Sequence, residues 1–333
     1  MSNVRGGLGG RPLLNIASYA RRGPGRRAAL TPAQLSQIHR TVNRAPEVMV
    51  KVTGGGRGGS RGVRDHLSYI DRKGELEIET DDEQRLRGKG TELDLLEDWD
   101  LDLDEYRERQ DLFASNARKP PKLIHKLVFS MPAHTPPDKV LLAVKDFARE
   151  EFGLKHRYAM VLHTDEPHPH VHVVVKAVSE QGDRLNIRKA TLREWREEFA
   201  KHLREHDVAA NATERAVRGL VNNRKTDGIY RASRRGDSRH IKAKVDAAAK
   251  DVMKGHVPIE PGKARLIETR RDINRGWHGV IEQLHAQGEE RLAQCAARFI
   301  ERMPPPRTER ETLAKQLYQH VHREHTRQME RTR

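Results

Sequence analysis

The sequence predicts an α+β fold in which helices flank a central sheet. Five short segments, starting near residues 47, 75, 122, 157 and 171, have strand-like lengths and are mostly rich in valine and other apolar residues. Longer stretches with apolar residues at helical spacing lie between and after them. The last two strand segments are separated by a turn with two prolines, so they are expected to pair as a hairpin.

Length and composition restrict the class of protein. The chain has 333 residues and a formal net charge of +15, with only 5% aromatic residues. This balance favours a polyanionic partner, most simply nucleic acid. The single cysteine, Cys295, excludes internal disulfides and a cysteine-based zinc site, and is typical of a reducing cytosol. No apolar run reaches the roughly 18 residues of a membrane helix, and no secretory signal is evident. We therefore expect a cytoplasmic protein without membrane insertion.

The N-terminal region combines a basic arm with a glycine-rich turn. Residues 1–46 hold eight arginines and no acid, which indicates either an arm that grips phosphates or a solvated tail, with a short helix near Pro32–Val42. A strand over residues 47–53 then runs through glycines 54–59 into a helix over about residues 61–72. The Gly-Lys-Ser/Thr ending of a P-loop is absent, so the turn is interpreted as backbone that approaches DNA.

The middle of the chain alternates strands and helices around an acidic insert. Residues 92–111 are strongly acidic with scattered leucines, which indicates a solvated helical face or a helix that masks a basic groove. A strand over residues 122–130 and a helix over 137–151 follow, and a helix over 191–206 is expected to be capped by Thr191. Residues 211–255 are predicted to be a basic linker. Residues 256–333 are predicted to be a helical C-terminal region, with one long helix over 263–303.

The densest group of chemically active side chains lies in residues 157–178. Four histidines and two acids fall within ten residues between two strands. His170 and His172 are two apart, so both side chains leave one face of the second strand, and His163 at the end of the first strand can lie opposite them. One interpretation is a polar hairpin tip with solvated histidines. The other is a three-histidine metal site with positions open to substrate, and it is the interpretation we adopt.

Residues 163–175 read His-x-Asp-x-x-His-Pro-His-x-His-Val-Val-Val, which is a long and specific pattern. It resembles the metal motif of DNA relaxases, the mobilisation endonucleases of the HUH superfamily, and is most similar to the T-DNA border nuclease branch. The resemblance implies that His163, His170 and His172 are the metal ligands. Metal-bound imidazoles usually need an acceptor on the other ring nitrogen. Orienting or catalytic roles are therefore expected for three neighbours, Asp165, Glu166 and His168.

The segment HLSYIDRKGELEIE, which contains Tyr69, resembles the nucleophile motif of the same branch. There a single tyrosine lies between the first strand and the metal motif, so the resemblance implies Tyr69 as the nucleophile. The alternative is a partly buried helix residue, and Tyr19, Tyr106 and Tyr158 are the competing tyrosines. DNA contacts are expected at four residues, Ser130, Arg57, Arg72 and Lys73.

The chemistry implied by the resemblance is strand-specific nicking and joining of DNA by transesterification. Tyr69 would attack a phosphodiester, giving a 5′-phosphotyrosyl link and a free 3′-hydroxyl. A phenol with a pKa of about 10 needs the field of a metal, or a base such as Asp165 or His168. The expected cofactor is a divalent ion, Mn or Mg by resemblance, while imidazole ligands also suit Zn, Ni or Co.

The same resemblance implies partners and a domain plan. The substrate is expected to be single-stranded DNA at an origin of transfer, with accessory relaxosome proteins and type IV secretion coupling proteins as partners. The resemblance also implies that the protein travels with the DNA into a recipient cell. An antiparallel sheet of about five strands is expected within a nuclease domain over residues 47–210.

Three alternative functions remain open. A rolling-circle replication initiator would share the chemistry but tends to carry a helicase domain or a second tyrosine. A basic DNA-binding accessory protein with a non-catalytic histidine cluster would not need Tyr69. A metal-dependent hydrolase would tolerate loss of Tyr69 but not of His170.

Overall fold

The computed structural model describes residues 29–55, 59–107, 122–221, 238–255 and 260–331. The chain divides into two compact units, one of Arg44–Ala212 and one that combines Met1–Asn43 with Thr213–Arg333. Within the described ranges, no helix has both the length and the apolar content that a membrane span requires. The functions assigned above to the segments 1–46, 47–210, 211–255 and 256–333 stay predictions.

The unit Arg44–Ala212 is built on one open, antiparallel sheet. Its strands in the described residues are β1 Met49–Gly55, β2 Ile78–Thr80, β3 Arg85–Leu86, β4 Ile124–Ser130, β5 Tyr158–His163 and β6 His170–Lys176. They lie in the order β1-β4-β6-β5-β2-β3. The predicted α+β class and antiparallel sheet are thus confirmed. The additional strand is β3, which has only two residues and is too short to show alternation in the sequence.

The described helices are α1 Pro32–Val42, α2 Gly59–Ile70, α3 Thr91–Asp98, α4 Pro137–Phe152, α5 Lys189–Glu205, α6 Arg239–Met253, α7 Gly262–Ala286, α8 Glu290–Glu301 and α9 Glu309–Arg331. Residues 101–107 are also helical. Helix α1 begins after Thr31, whose hydroxyl accepts from the Gln34 N–H in a capping box. Helix α5 begins at Lys189, two residues before the expected cap, Thr191. Thr191 lies in the first turn of the helix, and its hydroxyl accepts from the Arg188 N–H.

Strand alternation separates two hydrophobic cores on the two faces of the sheet. Phe129 and Val173 face helices α4 and α5 and belong to the larger core. Val161 and Val174 face the other way and pack with residues of α2 and α3. Because side chains alternate along a strand, each position along β4, β5 and β6 is assigned to one of these faces. The even-numbered residues of β6, including both of its histidines, therefore lie on the α2 face.

The acidic insert contributes to this second core. Leu95, Trp99 and Leu101 are each at most 1% exposed and pack with the α2 side of the sheet. Two acids of α3, Glu92 and Asp94, lie in its first turn, where they complement the helix dipole. Leu95, Trp99 and Leu101 are therefore core residues, whereas Leu93 and Leu103 are each more than half exposed.

The second unit is helical in its described residues. Its core is formed by α1, α7 and α8, and the buried Trp277 donates its indole N–H to the Val217 carbonyl at 3.0 Å. The long helix expected over residues 263–303 is two helices, α7 and α8. They separate at Gly288, whose φ of +77° is the left-handed conformation that ends helices.

Candidate active site

Three histidine side chains converge on the α2 face of the sheet. His163 pairs directly with His170 across β5 and β6. His172, which pairs with Val161, is the next residue of β6 on the same face. The ring centroids of the three are 4.5 to 5.3 Å apart. One nitrogen from each ring lies within 4.8 Å of one from each of the others. The strand phasing read from the sequence thus brings the three rings together.

Hydrogen bonds fix the orientation of two of these rings. His163 donates its Nε2–H to the Ile70 carbonyl at 2.6 Å, so Nδ1 carries the lone pair. His170 donates Nδ1–H to the His168 carbonyl at 3.0 Å, which leaves the lone pair on Nε2. In metal sites, a backbone carbonyl on one ring nitrogen commonly orients the other nitrogen toward the ion.

The electrostatics of the cluster favour neutral imidazoles. Burial and the neighbouring histidines lower the pKa of His172 to about 3. Burial also lowers the pKa of His163. The Nδ1 atom of His172 is buried without a hydrogen-bond partner in the described residues. Neutral imidazole is the form that binds metal, so these residues fit the divalent ion that the sequence predicts.

Helix α2 brings Tyr69 beside this cluster. The Tyr69 side chain is 59% exposed, so its hydroxyl is accessible to a macromolecular substrate. His66, one turn earlier, lies with its ring 6.3 Å from that of Tyr69 and 6.4 Å from that of His172. Burial and Lys126 lower the pKa of His66 to about 4, so this ring is also neutral. His66 was not among the site residues predicted from the sequence, although its i,i+3 spacing to Tyr69 places both on one helix face.

Arg72 links helix α2 to the hairpin of β5 and β6. Its guanidinium donates to Asp165 Oδ2 at 2.6 Å and to His163 Nδ1 at 3.2 Å. The same group lies 5.2 Å from the centre of the Tyr69 ring, within cation–π range. Arg72 was expected to contact DNA, and the structure places it inside the cluster. The exposed Lys73 follows it in the same turn, with a φ of +61°.

The turn between β5 and β6 exposes the three predicted orienting residues, Asp165, Glu166 and His168. Desolvation raises the pKa of Asp165, but the hydrogen bond and the charge of Arg72 together outweigh it, so the net shift is downward. Asp165 is therefore better suited to holding Arg72 than to accepting a proton. His168 contributes its carbonyl to the cluster, while its side chain points to solvent.

Two further residues of β4 fall on opposite faces. Ser130 pairs with His170 at the strand end and is 6% exposed, and its hydroxyl makes only a long 3.4 Å contact to the Met131 carbonyl. His125 lies on the α5 face and contacts the Leu185 carbonyl at 3.1 Å, so it does not join the cluster. Arg57 lies outside the described residues.

Comparison with known proteins agrees with this geometry. Residues 69–208 match a family model described as "Relaxase: MobA/VirD2-like, nuclease domain". The T-DNA border endonuclease VirD2 of Agrobacterium fabrum is 27% identical over 221 residues, covering 60% of this chain and 46% of that protein. The VirD2 of Rhizobium radiobacter is 26% identical over 204 residues, covering 54% and 44%.

A solved structure described as "Molecular Basis of Vancomycin Resistance Transfer in Staphylococcus aureus" covers 30% of this chain and 62% of its own, at 17% identity and a TM-score of 0.24. The chain spans less than half the length of the curated relatives it matches.

The region matched by the family model begins at the exposed tyrosine and contains the whole histidine cluster. Residues 69–208 are therefore a relaxase nuclease domain of the MobA/VirD2-like family.

Proposed function

We propose that this protein nicks and rejoins single-stranded DNA at an origin of transfer, using Tyr69 as the nucleophile. The observation that carries the proposal is the position of an exposed tyrosine beside three converging histidines. His66 and Arg72 lie between the two groups and connect them. Similarity to the T-DNA border endonucleases supports the same reaction class.

The reaction exchanges one phosphoester for another. The Tyr69 oxygen forms a bond to phosphorus while the bond from phosphorus to the 3′ oxygen breaks. The phenolic proton passes to an acceptor, and the departing 3′ oxygen takes up a proton to become a hydroxyl. Arg72 places a cation beside the Tyr69 ring, where negative charge develops during the proposed reaction. Neutral His66 is the proposed proton acceptor, while His168 and Asp165, the bases predicted from the sequence, lie on the exposed turn, where Asp165 holds Arg72.

The metal ligands in this proposal are His163, His170 and His172. A divalent ion bound there, Mn or Mg by resemblance, would polarise the phosphate oxygens and stabilise the charge that builds up on them. Lys73 and Ser130 adjoin the same face and are proposed to contact the DNA backbone, together with Arg57. Glu166, on the exposed turn, is proposed to orient the substrate.

The biological setting extends the proposal. A nicked strand with a protein on its 5′ end suits conjugative mobilisation, in which accessory relaxosome proteins and type IV secretion coupling proteins are the partners. We propose a cytoplasmic enzyme that accompanies the strand into a recipient cell. A net charge of +15 supports binding to the polyanionic strand.

The test is covalent capture on a pool of single-stranded oligonucleotides with a randomised centre, in the presence of Mn²⁺. We expect a protein–DNA band that survives denaturing electrophoresis and leaves an extendable 3′-hydroxyl. Tyr69→Phe and His170→Ala should each reduce this band by at least about a thousandfold, because each removes a group that acts at the reacting phosphate.

Tyr318→Phe is the matched control, since Tyr318 is 62% exposed and lies in the other unit. It should form the adduct like the wild type. Cleavage without an adduct, equal in wild type and Tyr69→Phe but absent in His170→Ala, would show a metal-dependent hydrolase instead.

A further inference from the structure

A second group of potential metal ligands lies between α4 and α5. Glu150 at the end of α4 and Glu198 and His202 on α5 each offer one ligand atom, and these atoms lie within 4.8 Å of one another. The helices pack on the sheet face that carries Phe129 and Val173. The three relaxase histidines leave the opposite face. The second group is therefore separate from the nuclease site.

His202 gives this group a property that a cluster of surface acids lacks. Its side chain is only 2% exposed, although Glu150 and Glu198 are at least half exposed. Its Nδ1–H donates to Glu205 Oε2 at 2.8 Å, which leaves Nε2 as the ring atom that can bind a metal ion. That Nε2 is buried and completes no hydrogen bond in the described residues, yet it lies 3.3 Å from Glu150 Oε2.

His202 Nε2 and Glu150 Oε2 are both potential ligand atoms, and one cation between them would interact with both. The cation can be a proton, giving an imidazolium, or a metal ion. Two ligand atoms bound to one tetrahedral Zn²⁺ at 2.0–2.1 Å are about 3.3–3.4 Å apart. The observed separation of 3.3 Å between His202 Nε2 and Glu150 Oε2 equals that spacing.

The contact between His202 and Glu205 adds the outer part of a metal site. A carboxylate on the far ring nitrogen of a histidine fixes the tautomer and makes the near nitrogen a better ligand. Lys201 now lies 3.3 Å from Glu198 and 3.9 Å from Glu150. Its side chain is 46% exposed, so it can turn into solvent when a divalent ion takes over the two carboxylates.

We propose that Glu150, Glu198 and His202 form a second divalent-metal site, of the kind that binds Zn²⁺, which fastens α4 to α5 and is oriented by Glu205. One imidazole and two carboxylates are a ligand set typical of zinc and related ions. The site has a structural role in the proposal, because it lies on the sheet face opposite Tyr69.

The test uses the full chain carrying His170→Ala and His172→Ala, so that zinc bound at the nuclease site does not contribute. After chelator treatment, Zn²⁺ binding is measured by equilibrium dialysis with elemental analysis. We expect one bound ion per chain and a zinc-dependent change in the ¹⁵N shift of His202 Nε2. Glu198→Gln and Glu150→Gln, at exposed positions, should weaken this binding at least about tenfold, and Glu205→Gln by a similar factor.

Glu194→Gln is the matched control, because it makes the same change on an exposed position one turn earlier on α5. It should leave zinc affinity unchanged. The proposal is overturned if the parent variant binds no stoichiometric zinc, if His202 does not respond to it, or if Glu198→Gln behaves like Glu194→Gln. Failure here leaves the proposed nicking reaction untouched, since the parent variant lacks that site.

Discussion

At the scale of single residues, Arg72 is the side chain that joins the separate parts of the active site. It contacts Asp165 and His163 on the hairpin and lies against the ring of Tyr69. Its φ of +57° is unusual for a residue with a side chain. This backbone conformation reverses the chain after α2, so that the guanidinium points back to the site.

The ion pair of Arg72 with Asp165 is predicted to matter for activity more than for stability. The two side chains are 31% and 52% exposed, and pairs of this kind contribute about 0–1 kcal/mol to folding. Asp165→Asn should therefore change the free energy of unfolding by less than about 1 kcal/mol. It should lower adduct formation roughly 10- to 100-fold, because Arg72 loses the acceptor that holds it beside Tyr69.

The measurements are urea unfolding and the initial rate of adduct formation on the same preparations. Glu83→Gln is the control, since it also breaks an exposed ion pair. That pair joins Glu83, in the turn between β2 and β3, to Arg149 of α4. Equal rates for the two variants would mean that Arg72 needs no anchor.

Strand alternation alone predicted which histidines converge, because a period of two fixes the face of His170 and His172. His66 and Arg72 could not be assigned in the same way. Their positions depend on how α2 docks against the sheet and on a left-handed turn at a non-glycine residue, neither of which has a periodic signal in the sequence.

At the scale of secondary-structure elements, the acidic insert supports helix α2, which carries Tyr69. Glu105, in the helical segment 101–107, accepts from the Ser60 N–H at 2.6 Å in the first turn of α2. A carboxylate at a helix N-terminus satisfies a free N–H group and complements the helix dipole. Composition predicted the charge of the insert, but its leucines were too scattered to show that Leu95 and Leu101 are buried.

Helix α5 contains a carboxyl group whose ionisation opposes folding. Burial raises the pKa of Glu197 to about 7, with Arg193 acting against the shift and Glu198 and Glu194 adding to it. The folded-state pKa lies above the unfolded value of about 4.5, so the folded chain binds the proton more tightly. Its contribution to stability is complete below about pH 4.5 and is lost as the pH rises through about 7.

Glu197→Gln should therefore raise the free energy of unfolding by about 1–2 kcal/mol at pH 8 relative to wild type, and by little at pH 4.5. Urea unfolding of chelator-treated protein at both pH values gives the comparison. Glu194→Gln, on the exposed side of the same helix, should show no such pH-dependent gain. A gain of the same size at both pH values would show that helix propensity, and not ionisation, is responsible.

At the scale of the whole molecule, positively charged lysines lie on the face of the sheet that holds the candidate site. Lys51 of β1 and Lys126 of β4 alternate with core residues and leave the sheet on the same face as the histidines. Burial lowers the pKa of Lys126, so forming an ion pair with a phosphate there would favour its charged form. The net charge predicted a polyanionic partner, but which face it binds follows only from the strand register.

The salt dependence of DNA binding tests this assignment. For single strands, the slope of log K against log salt is about −0.7 for each phosphate neutralised. Lys51→Gln and Lys126→Gln should each make the slope less steep by about 0.7, because each removes one phosphate contact on the site face. Lys139→Gln on α4 should not, since α4 packs on the opposite face of the sheet. Fluorescence anisotropy with single-stranded DNA between about 50 and 200 mM salt covers the useful range. If Lys139→Gln alone changed the slope, the DNA would follow the α4 side, and Tyr69 would be left without a substrate strand.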